Sequence, residues 1–141
     1  MTLREIQDEI VEEFAVLEDW MEKYNFLIEL GNGLPPIDAK FKTDEYLISG
    51  CQSKVWLHAD YSDGIMKFSA DSDAIIVKGI VAMLIKVLNN QKASEIMNAD
   101  LYFIDKIGLK QNLSPTRSNG LVSMVKKMKL YALAYNSKNN A

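Results

Sequence analysis

The chain has 141 residues, of which 48% are hydrophobic and 25% are charged, a composition typical of a soluble globular protein with one core. Its net charge of −3 argues against nucleic-acid binding, which needs a basic surface. There is no apolar run of about 18 residues, so we expect no membrane span. The acidic start Met1–Glu5 and the single cysteine predict a cytoplasmic protein without a signal peptide or an internal disulfide.

The charges are distributed unevenly along the chain. Met1 to Glu29 contains nine acidic and two basic residues, whereas Lys106 to Ala141 contains seven basic residues and no acidic one. Two explanations stay open. The terminal segments lie near each other and their fields offset, or one of these surfaces meets a partner protein of opposite charge.

The first third of the chain predicts two helices followed by a loop. Over Thr2–Leu17, apolar residues recur at intervals of three and four behind a capping-box pair, which is typical of an amphipathic helix. Asp19 is a good N-cap for the second helix. We expect that helix to end at Gly31-Asn32-Gly33, whose residues tolerate positive φ. Two prolines then predict an ordered loop over residues 31–45.

The next segment predicts a small antiparallel sheet. Tyr46–Ser49 is expected to form a short first strand. Residues 55–59 and 66–70 both alternate between apolar and polar side chains, as half-buried strands do. The turn Ser62-Asp63-Gly64 between them is typical of a hairpin. So few strands need helices to cover them.

Two long helices and two short helical turns, over Ala93–Met97 and Leu101–Lys106, complete the prediction. Asp71-Ser72-Asp73 offers N-caps for a helix that runs to about Asn89-Asn90. From Ala74 to Leu88 it is apolar nearly all round, so we expect it to be buried as the central core element. Ser114-Pro115 starts the last helix with an N-cap and a proline in its first turn. Gly120 inside that helix costs about 1 kcal/mol against alanine, so a closely packed neighbour is expected. The tail Asn136–Ala141 is expected to fray. The 141 residues are predicted to form one α+β domain.

Cys51 is the candidate chemical centre. Gly50 before it and Gln52-Ser53 after it make a poor core stretch and allow a sharp turn that leaves the thiol reachable. A lone cysteine is also often a small buried hydrophobic residue, and no base lies beside this one in sequence. His58, the only histidine, is expected to be an exposed strand residue, up to about 20 Å from the thiol.

The lack of a nearby base and of a second thiol limits the reactions that Cys51 could carry out. A cysteine hydrolase needs a histidine next to its nucleophile, which the predicted distance disfavours. One cysteine and one histidine cannot complete a structural metal site, and a single thiol cannot hold an iron–sulfur cluster on its own. Exchange at sulfur remains, because a thiolate that attacks the outer sulfur of a persulfide needs access but no cofactor.

Four segments resemble the SufE family of sulfur acceptors, in order and over about residues 10–135. Gly50-Cys51-Gln52-Ser53-Lys54-Val55-Trp56-Leu57 is similar to the family's active-cysteine segment. The other three segments are Trp20–Gly31, Asp71–Gly79 and Leu113–Leu121.

The resemblance implies a three-stranded antiparallel sheet packed against several helices, a fold shared with IscU-type scaffolds. It also implies that Cys51 accepts persulfide sulfur from a cysteine desulfurase (SufS/CsdA-like), stimulates that enzyme and passes the sulfur to an iron–sulfur assembly complex (SufBCD-like). This chain would need no cofactor, because pyridoxal phosphate (PLP) belongs to the desulfurase, and we expect no independent turnover. The alternative is a non-catalytic adaptor that only binds and activates the desulfurase.

Five further residues complete the predicted site. Gly50, Gln52 and Ser53 would shape the loop around Cys51. Arg117 is the candidate for closing on that loop, where its charge would favour the thiolate. Asp73 is either a helix cap or a contact for a partner.

Overall fold

Residues 1–139 are described in the computed structural model, and they form six α-helices and three β-strands. The helices are α1 (Leu3–Ala15), α2 (Trp20–Asn32), α3 (Ile75–Leu88), α4 (Ala93–Met97), α5 (Phe103–Lys106) and α6 (Pro115–Asn139). The strands are β1 (Val55–Ser62), β2 (Ile65–Ser72) and β3 (Gln91–Lys92). Short 3-10 helices occur at Ala39–Phe41, Asp44–Tyr46 and Lys110–Asn112. The predicted α+β class with a three-stranded antiparallel sheet is confirmed.

The sheet has the order β1-β2-β3, with both neighbouring pairs antiparallel. Asp63 and Gly64 both have positive φ, 54° and 83°, as the tight hairpin turn between β1 and β2 requires. The predicted alternation is confirmed, because Val55, Leu57, Ala59, Met66, Phe68 and Ala70 are all buried. One of the three predicted strands was wrong, namely the first, over Tyr46–Ser49.

Residues 46–49, which were expected to form a strand before the hairpin, make only a single bridge between Leu47 and Trp56. The third strand is instead β3, two residues long, which pairs with the start of β2. The segment 44–46 is coiled into a 3-10 helix, so too little extended chain remains in front of Cys51 for a ladder.

Helices α2 and α3 touch through their backbones at two glycines. A Cβ on Gly79 would lie 2.1 Å from the Leu27 carbonyl oxygen, and a Cβ on Gly31 would lie 2.9 Å from the Gly79 nitrogen. The predicted end of α2 at Gly31-Asn32-Gly33 is confirmed, since the last helical residue is Asn32 and the C-cap is Gly33. No positive φ is involved, because the φ of Gly33 is −82°. Gly31 therefore serves helix contact and not chain reversal.

Helix α3 is the central core element, as predicted, with ten of its 14 residues buried. The predicted capping by the preceding aspartates was wrong. The N-cap is Ala74, and no side chain caps the helix. Asp71 lies on β2 and forms ion pairs with Lys42 at 3.1 Å and Lys78 at 3.4 Å, so the strand extends further than the sequence pattern indicated.

Helix α6 covers the free edge of β1. The hydroxyl of Tyr131 donates to the carbonyl of Leu57 at 3.3 Å, and that of Tyr135 donates to Ala59 at 3.1 Å. These bonds satisfy carbonyl groups that an edge strand would otherwise leave unpaired. Ser114 caps the start of α6, as predicted, by accepting the main-chain N–H of Arg117.

The carboxyl-terminal part of α6 continues to Asn139, so the expected fraying from Asn136 is not found up to that residue. The last two residues of the predicted tail, 140–141, lie outside the described residues. Within residues 1–139, every helix is too short or too polar to span a bilayer.

Candidate functional site

Cys51 lies in a short loop, Ser49–Lys54, which we call the cysteine loop. Its base is closed where the N–H of Ile48 donates to the carbonyl of Val55 at 2.9 Å. Asp73 fixes Lys54 at the same end. Its carboxylate accepts the Lys54 N–H at 3.0 Å, and its own N–H donates to the Lys54 carbonyl at 3.2 Å. Asp73 therefore anchors the loop instead of capping α3.

Gly50 forms the bend that turns the cysteine loop onto α6. Its φ of +89° lies in the region that favours glycine. A Cβ at this position would also lie 2.5 Å from the Oγ of Ser123. The backbone conformation thus favours glycine directly before Cys51, and a larger residue would also force the Ser123 hydroxyl to rotate.

The Cys51 thiol is half-buried against α6. It donates a hydrogen bond to the main-chain carbonyl of Gly120, with Sγ 3.6 Å from the oxygen. A Cβ on Gly120 would lie 3.4 Å from Sγ. The closely packed neighbour that was predicted for Gly120 is therefore the thiol itself.

Burial raises the pKa of the Cys51 thiol, because a thiolate in this position would lose solvation. The stabilisation of the thiolate by Arg117 stays a prediction. The resting thiol is protonated at neutral pH and has little nucleophilic character.

A cleft of about 380 Å³ opens beside the thiol, and we call it the thiol cleft. It brings together Cys51, Gln52, Ser53 and Arg117 of the predicted site. Gly50 and Asp73 are not among the residues that line it. They act from behind, at the bend and at the base of the cysteine loop.

The apolar floor of the thiol cleft was not predicted. It consists of Val77, Ile80 and Met124, which belong to the buried faces of α3 and α6. In sequence these residues are indistinguishable from other core positions, because helical periodicity shows which face is buried but not which part borders a cavity. The one usable signal was Gly120, a glycine inside a helix.

His58 does not take part in this site. Its ring stacks on Phe41, with centroids 3.6 Å apart, and its Nε2 lies 3.0 Å from a carboxylate oxygen of Asp60. His58 lies on β1, as expected, but its predicted exposure was wrong, since only 15% of the side chain is exposed. In the part of the chain that the structure describes, no group of three or more histidine, cysteine, aspartate or glutamate side chains is placed to hold a metal ion.

Comparisons with known proteins identify the family. The family model described as "SufE: Fe-S metabolism associated domain" matches residues 8–132. The chain belongs to the SufE family. Membership assigns this SufE-family chain a role in iron–sulfur metabolism.

Several relatives agree with this assignment. A SufE-like protein of Rhizobium etli is 44% identical over 127 residues, which are 86% of each chain. SufE-like protein 1, chloroplastic/mitochondrial, of Arabidopsis thaliana is 39% identical over 126 residues, which are 89% of this chain and 34% of the plant protein. The present chain thus corresponds to about a third of that longer relative.

A solved structure supports the fold of this SufE-family chain. The solution structure of a hypothetical protein from Thermus thermophilus superposes with a TM-score of 0.78 and covers 94% of this chain and 96% of that one. The sequence identity is 19%, so the likeness concerns the fold alone.

Proposed function

We propose that Cys51 accepts a sulfur atom from the persulfide of a cysteine desulfurase and passes it to an iron–sulfur assembly complex. Family membership supports the setting, iron–sulfur metabolism. The observation that carries the proposal is the position of Cys51. The only thiol of the chain follows a glycine with positive φ and borders a cleft.

The reaction is an exchange at sulfur. The Cys51 thiolate attacks the outer sulfur of the donor's persulfide, a new S–S bond forms to Cys51, and the S–S bond within the donor breaks. The donor cysteine leaves as a thiolate and takes up the proton that Cys51 gave up. One thiol and one persulfide enter and leave, so no external oxidant or reductant is needed. Passing the sulfur on repeats the same step with Cys51 as the persulfide.

Because the resting thiol is half-buried, the donor has to expose it as well as supply the sulfur. Half-buried and bonded to the Gly120 carbonyl, the thiol is shielded from oxidants, which attack exposed thiolates fastest. The same shielding holds back the transfer. The donor must therefore move the cysteine loop, and Gly50 is the residue whose backbone freedom permits such a swing.

The polar side chains that line the thiol cleft would favour the thiolate once the cysteine loop has moved. Once Sγ leaves Gly120, its desolvation falls and its pKa drops toward the ordinary value. Arg117 borders the same cleft, and the proposal gives its guanidinium the role of pairing with the sulfur anion in that state. PLP chemistry belongs to the desulfurase, and this chain supplies only the acceptor.

The rate of sulfide release by the desulfurase distinguishes a carrier from an adaptor. The desulfurase is supplied with cysteine and a thiol reductant, and the rate is measured with wild type, Cys51→Ala and His58→Ala. A carrier loses stimulation with Cys51→Ala and keeps it with His58→Ala, the matched control outside the cleft. Full stimulation by Cys51→Ala would instead establish the adaptor.

A further inference from the structure

Helix α6 presents a partly apolar surface to solvent on the side away from the thiol cleft. Val122, Leu130 and Leu133 are 52%, 47% and 43% exposed. Together with the half-buried Val125 they line a groove of about 420 Å³, bordered by Lys126 and Lys129. We call these six residues the outer face of α6. Large apolar side chains gathered on one exposed helix face are typical of an interaction site.

The lysines of this helix lack acidic partners. None of the ion pairs in the described part of the chain involves Lys126, Lys127 or Lys129. Lys129 donates to the carbonyl of Ala99, and Lys127 lies over the ring of Tyr131. Residues 106–141 contain no acidic residue, but Asp100 and Asp105 line a neighbouring groove together with Lys129. The positive charge of the outer face of α6 that has no acidic residue beside it in its grooves is therefore that of Lys126.

This face is continuous with the cysteine loop. A second groove runs along the side of α6 and is lined by Leu47, Ser49 and Ser123 together with Lys126 and Leu130. Lys126 and Leu130 belong to both grooves. A partner that lies on the outer face of α6 therefore reaches Ser49, the neighbour of the hinge Gly50, without entering the thiol cleft.

We propose that the outer face of α6 is the docking site for the persulfide donor, which binds through an acidic and partly apolar segment. This inference rests on the proposed function. The donor first binds the protein while the thiol is still bonded to the Gly120 carbonyl, and it must then break this contact. A partner that holds α6 and presses on Ser49 is in a position to move the loop at Gly50.

The charges disfavour a second copy of this chain as the occupant. A two-fold contact through the outer face of α6 would set its lysines against the same lysines of the partner copy, and like charges in an interface are repulsive. A contact with the acidic α1 of another copy would be heterologous and would join many molecules into a ring or an open chain, which sedimentation would detect. A different protein with an acidic and partly apolar surface would pair with the lysines and cover the apolar groove.

The test measures binding and transfer separately. The double variant Val122→Asp/Lys126→Glu changes the outer face of α6. The control Val16→Asp/Lys92→Glu makes the same changes at residues that are also exposed but lie elsewhere. Affinity for the cysteine desulfurase is measured by fluorescence anisotropy in a Cys51→Ala background, so that docking is read without sulfur transfer. We expect the outer-face variant to bind about tenfold or more weakly and the control to bind normally.

Salt adds a second readout. Wild-type affinity should fall as salt rises, since charge complementarity is screened, and the Lys126→Glu variant should lose most of this dependence. Lys126→Glu alone, which keeps the apolar contacts of α6, is used if the double variant melts at a lower temperature than wild type.

Two results would overturn the proposal. One is equal affinity of the outer-face variant and the control. The other is a wild-type dimer in sedimentation that the variant abolishes while desulfurase binding is unchanged, since the face would then join copies of this chain. A different result would contradict the proposed function: a wild-type protein that binds the desulfurase but gains no sulfur on Cys51.

Discussion

The thiol of Cys51 and the main-chain carbonyl of Gly120 are joined by a hydrogen bond, with Sγ 3.6 Å from the oxygen. This contact makes a helix glycine part of the candidate site. A Cβ at position 120 would lie 3.4 Å from Sγ, in direct contact with the sulfur. Glycine at this position lets the thiol rest against the helix backbone.

Gly120→Ala should separate helix stability from thiol position. Alanine favours the helix by about 1 kcal/mol over glycine, yet its methyl group crowds the resting thiol. We expect Cys51 to become more exposed and to react severalfold faster with iodoacetamide at neutral pH. Ser137→Ala, at an exposed position of the same helix, is the control and should leave the alkylation rate unchanged. Equal rates in both variants would show that the Gly120 contact does not hold the thiol.

Stability should depend on the ionisation of Cys51. Burial raises the pKa of this thiol in the folded state, so folding favours the neutral form. The resulting stabilisation is complete below the unfolded-state pKa of about 8.5 and is lost as pH rises through the higher folded-state pKa. We expect the free-energy difference of unfolding between wild type and Cys51→Ser to shrink from pH 7 to pH 10 in urea titrations.

Two tyrosines also titrate in the alkaline range. The pKa of Tyr102 is raised by its hydrogen bond to Asp8, and that of Tyr131 is raised by burial. Both are present in wild type and variant, so the difference between the two proteins isolates Cys51. A difference that stays constant with pH would mean that the thiol is equally solvated in the folded and unfolded chains.

Gly50→Ala should destabilise the cysteine loop for two reasons that can be separated. A non-glycine residue at φ +89° costs about 1–3 kcal/mol, and the new methyl group would meet the Oγ of Ser123 at 2.5 Å. We expect Gly50→Ala/Ser123→Ala to recover the steric part and leave the backbone part. Chemical denaturation of the two single variants and the double variant gives this coupling energy, and strict additivity would exclude the contact with Ser123.

Gly79→Ala should be among the most damaging single substitutions. Its Cβ would lie 2.1 Å from the carbonyl oxygen of Leu27, so α2 and α3 would have to separate, at a loss of more than about 4 kcal/mol. Gly33→Ala is the matched control, because its Cβ would meet only ordinary contacts at 3.6 Å and beyond. Its thermal midpoint should stay close to that of wild type. Similar midpoints for both variants would contradict the close helix contact.

Much of the fold could be predicted because its signals are local. The alternation around Leu57 and Phe68 gave the hairpin, and Thr2, Asp19 and Ser114 cap the helices that were expected behind them. The strand β3 could not be predicted, since two residues are too few to show a period. The same holds for contacts between distant segments, such as Gly31 on Gly79.

The candidate site was predictable in its chemistry but not in its geometry. A lone cysteine behind a glycine directed attention to Cys51, and the unexplained Gly120 indicated a close neighbour without naming it. The helix-cap alternative for Asp73 was wrong. An aspartate before an apolar run is a common helix cap, but here the carboxylate accepts the main-chain N–H of Lys54. The contact of Gly50 with Ser123 joins residues that are far apart in sequence, and local patterns do not encode it.

The mass of the intact protein after incubation with an active cysteine desulfurase, PLP and cysteine tests the central claim most directly. The incubation omits reductant, because a persulfide is reduced readily by added thiols. The wild-type chain should gain the mass of one sulfur atom, located on Cys51 by fragmentation, and Cys51→Ser should gain none. A wild-type chain that keeps its mass while the desulfurase turns over would contradict the role of Cys51 as the sulfur acceptor.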